Sequence, residues 1–101
     1  MGNRDPASRA LYTYPKAKKR NGPQDQVIIR AVEAVLEDQR AKYNGAERTR
    51  MIELIYFRNS HTFQGAAMEC HYSKETIIKW NREILAAARM ALRYENMRTT
   101  E

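Results

Sequence analysis

The sequence predicts an all-α protein: a small helical domain with a helix-turn-helix and a long C-terminal helix. Apolar residues recur at three- and four-residue spacing over most of residues 23–94. Strict apolar–polar alternation is nowhere sustained, and β-branched residues are scattered, so no strand pattern competes. With 101 residues there is room for one modest core.

Residues 1–22 are expected to form a flexible basic arm, and residues 23–101 the helical domain. The arm holds Pro6, Pro15, Gly2 and Gly22 among many charges, with no apolar periodicity. Tyr12 and Tyr14 are its expected anchors on the domain. The first helix is predicted from Pro23 to Lys42, where Val27, Ile28, Ala31, Val32, Val35 and Leu36 make one stripe. "YNG", Tyr43 to Gly45, stops it. A second helix, Ala46 to Arg58, is apolar on nearly every side and belongs in the middle of the core. Thr62 is the expected N-cap of a short third helix ending at Cys70. The last helix should run from Lys74 to about Tyr94, with the tail "NMRTTE" frayed. Its line Ile84, Leu85, Ala88, Leu92 either packs back on the first helix or seals a homodimer; packing is favoured, with dimerisation added to it.

Between Cys70 and Lys74 two helical patterns meet at a three-residue joint. The spacing is that of a helix-turn-helix over residues 62–85. Ala67 falls where the helices approach most closely and only a small side chain fits. His71 occupies the turn position that needs a left-handed backbone, usually a glycine. Tyr72 plugs the turn, and Ser73 caps the next helix. Ile77 and Trp80 then point inward, as do Ala66 and Cys70. Lys74, Glu75, Ile78, Lys79 and Arg82 point outward, with Thr76 at the edge. An outward helix tip carrying Lys, Thr and Arg suits reading the edges of bases in a major groove.

The stretch Met51–Leu92 resembles the phage late-gene transcriptional regulators of the RinA/ArpU type. It carries an apolar helix ending in Tyr56-Phe57, then "HT", "GAAMECHYS", and a tryptophan in the reading helix followed by "REI". The likeness covers the C-terminal half well and Pro23–Lys42 only loosely. It implies a unit like region 4 of sigma factors that activates late transcription in the cytoplasm of a bacterial host. It also implies that Thr62 and Gln64 meet phosphates while Lys74, Glu75, Thr76, Lys79 and Arg82 face the groove, with Ser73 at the helix start. Many such regulators have a long acidic N-terminal region where this chain is basic. Two other readings fit parts of the pattern: a small terminase-like packaging protein, and a module that binds RNA polymerase without DNA affinity of its own.

The net charge of +6 is unevenly placed. Residues 1–30 hold seven bases and two acids, residues 31–60 five of each, and residues 61–101 six bases and five acids. The densest run is "KAKKR", where Lys16, Lys18, Lys19 and Arg20 are expected to contact phosphates or the minor groove of double-stranded DNA. No apolar run approaches membrane-spanning length, and one cysteine excludes an internal disulfide and suits a reducing cytoplasm. His61, Cys70 and His71 diverge in direction and lack a fourth ligand at zinc-like spacing, so no metal or other cofactor is expected. Ser73 has no base arranged around it, which argues against an enzyme. Met51, Met68 and Met90 read as core filler.

Overall fold

The computed structural model describes residues 5–99. Residues 1–4 of the expected arm and 100–101 of the expected frayed tail lie outside them. The described residues form α1 (Pro6–Arg20), α2 (Asp25–Arg40), α3 (Gly45–Ile52) with a π-helical turn Glu53–Phe57 continuing it, α4 (Phe63–Cys70) and α5 (Lys74–Thr99). Helices α1, α2 and α5 pack together as three long rods, and α3, its π turn and α4 close one end.

The basic segment is not a flexible arm but a helix, which corrects the sequence expectation. Asp5 caps α1 by accepting the Ser8 N–H at 3.0 Å, and Pro6 stands in the first turn, where its missing N–H costs nothing. Ala7, Ala10, Leu11 and Ala17 are buried on one side of α1. The stripe is built mostly from alanines, so it was faint beside the lysines. Pro15 deprives the helix of one internal hydrogen bond. Contacts on either side hold it in place: the Tyr12 ring lies edge-on to Tyr56 at 4.8 Å, and Tyr14 packs on Phe57 at 4.9 Å. The two tyrosines do anchor the segment, as expected.

Helix α2 buries Ile29, Ala31, Val32 and Val35, while Val27, Ile28 and Leu36 are only half-buried. It lies antiparallel to α5. Ala34 and Asp38 share a groove with Ala87 and Met90, and Gln24 and Val27 share another with Leu92 and Asn96. Ile84 and Ala88 are buried and Leu85 and Leu92 partly so, so the apolar line of the last helix does pack back on the bundle. This packing also carries α5 to Thr99, past the expected end near Tyr94. Met51 is core, but Met68 and Met90 are 69 % and 72 % exposed, on the solvent sides of α4 and α5, and fill no core space.

The π turn accounts for the unbroken apolar run of the second predicted helix. The Arg58 N–H reaches back five residues to the Glu53 carbonyl at 2.8 Å, widening the coil so that Leu54, Ile55 and Tyr56 are all buried. At the other end of α3, Gly45 sits against the last turn of α2. A Cβ there would lie 2.1 Å from the Arg40 carbonyl oxygen, so no side chain fits.

One polar cluster joins three helices. Arg48, on α3, donates to the Tyr43 carbonyl at 3.0 Å, to Gln39 Oε1 of α2 at 3.0 Å and to Glu83 Oε1 of α5 at 2.7 Å. Its guanidinium also lies 5.0 Å from the centroid of the Trp80 ring. Gln39 is fully buried and Arg48 only 9 % exposed. Arg48→Ala leaves the Gln39 carbonyl oxygen without this donor in the core, and we expect a loss of about 2–4 kcal/mol in urea unfolding. A change under about 0.5 kcal/mol would show that the cluster does not hold the helices together.

Candidate nucleic-acid interface

The corner between α4 and α5 forms as a helix end reversed by one left-handed residue. His71 has φ 64° and ψ 42°. The Tyr72 N–H reaches the Ala67 carbonyl at 2.9 Å and the His71 N–H the Met68 carbonyl at 3.3 Å, the paired bonds of a Schellman ending. The Tyr72 ring then closes on Trp80 edge-on at 4.8 Å, filling the turn. Ala66 and Ala67 are 0 % and 2 % exposed, so the two helices meet at small residues.

Both caps read from the sequence are present. Thr62 Oγ1 accepts the Gly65 N–H at 3.0 Å, opening α4. Ser73 Oγ accepts the Thr76 N–H at 3.2 Å and lies 3.0 Å from the Thr76 hydroxyl, opening α5. The hydroxyls of Thr62, Ser73 and Thr76 are thus already engaged in holding helix starts. Ile77 and Trp80 point inward at 0 % and 4 % exposure. With Tyr72 on one side and Arg48 on another, Trp80 is a core plug with no face open to a base.

Lys74, Glu75, Lys79 and Arg82 are exposed, as is Gln64 on α4. Glu75, Ile78, Lys79 and Arg82 follow the spacing of one helix face, which extends over roughly 10 Å along the axis. Two bonds the sequence did not reveal set how this tip stands. Glu83 is held by Arg48, and the Tyr56 hydroxyl donates to Asn81.

The four basic residues of "KAKKR" are brought together only in part. Lys18 pairs with Glu33 at 3.0 Å and Arg20 with Asp25 at 2.9 Å, which ties α1 to α2; Lys16 and Lys19 are exposed. A helix packed on the bundle cannot thread a minor groove as an extended arm does. Any contact these four make with a polyanion is made from a folded surface. Among the described residues no group of three or more His, Cys, Asp or Glu could hold a metal, and no helix is long and apolar enough to cross a membrane.

Hydrogen bonds, most of them within ion pairs, depress several carboxyl pKa values. The Arg48 hydrogen bond lowers Glu83, the Arg20 bond lowers Asp25, the Lys18 and Tyr14 bonds lower Glu33, and the Ser8 N–H lowers Asp5. Tyr14, partly buried and bonded to Glu33, is pushed up to about 12. Comparison of the chain with protein-family models, with curated proteins and with solved structures returned no match.

Two predictions follow from this geometry. Replacing His71 by Gly relieves the left-handed strain and should raise stability by up to about 1 kcal/mol, whereas His71→Val should lower it by more than about 1 kcal/mol. Equal melting curves for both variants would contradict the corner described. Because the folded carboxylates titrate below their unfolded values, their stabilisation is complete above the ordinary carboxylate range and lost as pH falls through the depressed values. Thermal stability should therefore drop steeply below about pH 4, and Glu83→Gln should flatten that drop. An unchanged profile in the variant would mean that Glu83 is not held as a carboxylate.

Proposed function

We propose that this chain is a non-enzymatic, sequence-specific DNA-binding transcriptional regulator of phage or prophage origin, working in the cytoplasm of a bacterial host. The helix beginning after Ser73 enters the major groove. Lys79 and Arg82 contact base edges or flanking phosphates, and Lys74, Glu75 and Thr76 lie along the same tip. Thr62 and Gln64 at the start of α4 meet the backbone of one strand. The observation that carries this reading is the corner at His71, which leaves a cationic helix tip exposed while its other side is fixed in the core. The RinA/ArpU-type residue pattern supports the same reading and adds the regulatory role. Pairing of two copies on two half-sites belongs to it as well, since a single small reading helix contacts few bases.

Duplex binding should weaken steeply with salt, because each phosphate neutralised releases counterions. A flat response would overturn DNA binding. On a site selected from a random duplex pool, Lys79→Ala and Arg82→Ala should each cost about 1–3 kcal/mol of affinity with the circular dichroism melt unchanged. If both variants bind the selected site as the parent does, this tip is not the reader.

A further inference from the structure

A second surface lies away from the α5 tip. Its groove, of about 550 Å³, is bounded by α1, α2, α3 and the π turn. Arg40, Arg50 and Arg58 stand around it with a single carboxylate, Glu53, while Pro15, Leu36 and Phe57 provide apolar lining. Arg40 and Arg58 are exposed and make no ion pair among the described residues; Arg50 reaches Glu69 only at 3.7 Å, both side chains being about half exposed. Pairs of that kind contribute little and exchange readily for a better partner. Phe57 and Leu36 are only half-buried, and the Phe57 ring is covered by Tyr14 on one side. The volume suits one or two side chains of a ligand.

From this combination we infer that the groove docks an acidic, amphipathic peptide segment of a partner protein. In this arrangement one or two apolar side chains sit on Pro15, Leu36 and Phe57, and flanking carboxylates meet Arg40 and Arg58. Charge complementarity selects the acidic partner: Arg40 and Arg58 have no carboxylate partner among the described residues, Arg50 has only the loose Glu69 pair, and Glu53 is the one carboxylate in the lining. Arginine forks match carboxylates in paired bonds. The apolar lining selects peptide over nucleic acid. A duplex backbone gains nothing from Leu36 and Pro15, and a stacked base needs an open aromatic face that Phe57, packed on Tyr14, offers poorly. The site is independent of the DNA-reading tip, since none of Lys74, Lys79 or Arg82 lines it.

The test is fluorescence anisotropy with a short labelled peptide in which glutamates flank a leucine–phenylalanine pair, titrated with the full chain. Arg40→Glu/Arg58→Glu should weaken binding about tenfold or more, as loss of two charge-assisted contacts with reversal of sign requires. The charge-matched variant Arg30→Glu/Arg93→Glu, altered at exposed sites outside the groove, should bind nearly as the parent does. Serines in place of the leucine–phenylalanine pair should weaken binding comparably. Equal loss in both double variants, or indifference to the serine exchange, would reduce the interaction to general attraction by a basic protein and overturn the proposal. So would a duplex oligonucleotide whose binding depends on Arg40 and Arg58 while the peptide does not bind. The selected duplex bound through Lys79 and Arg82 reports separately on the α5 tip, so either reading can fail without the other.

Discussion

Burying a guanidinium is costly, and this fold places one where three helices meet. Arg48 is accommodated there because its Nε and Nη1 donate to a carbonyl, an amide oxygen and a carboxylate while an indole face lies beside the guanidinium. Among the described residues no buried side-chain nitrogen or oxygen lacks a hydrogen-bond partner, so the penalty of desolvation is met throughout. An aliphatic residue of similar bulk could fill the same space. It would not specify which residues of α2 and α5 must lie beside α3, whereas a planar fork with fixed bond directions does. The rest of the bundle follows from that: α5 cannot rotate about its axis without parting Glu83 from Arg48 and Asn81 from Tyr56.

The chain changes direction four times, and each time it uses a non-glycine residue in the left-handed region. Asn21, Asn44, Asn59 and His71 have φ between 50° and 64°, and none of the described glycines has a positive φ. Asparagine and histidine tolerate this region better than most residues, so the strain is small at each joint. Gly45, directly after Asn44, serves a different need, the close approach of α3 to the end of α2.

The helix-turn-helix was legible because its determinants are local. Ala67, His71, Tyr72, Ser73, Ile77 and Trp80 each answer a requirement of one tight turn, and spacing along the chain fixes them all. The helix α1 was not legible. Its apolar face is alanine, one leucine and two tyrosines, and Pro15 with four basic residues hid the period. The "DP" pair that caps it was a readable start signal, yet a cap without a strong stripe after it is weak evidence. Arg48, Gln39, Tyr56, Asn81 and Glu83 were beyond reach for another reason. Their partners lie on different helices, up to 35 residues apart, and only the packed structure brings them together. Met68 and Met90 misled in the opposite sense, because a methionine on an exposed helix face looks the same in sequence as one in a core.

Helix α5 has 26 residues, roughly 39 Å by its rise, in a molecule 43 Å long. It is therefore one stiff beam running nearly end to end, clamped near Asn81 and Glu83. The clamp divides it unequally: roughly 13 Å towards Lys74 and roughly 24 Å towards Thr99. The longer arm is not free: Ala88 and Glu95 are buried along it and Arg89 pairs with Asp5 of the α1 cap at 3.2 Å. A sideways push near Met97 is therefore resisted by the seated length between Ile84 and Glu95 before it reaches the Lys74 end.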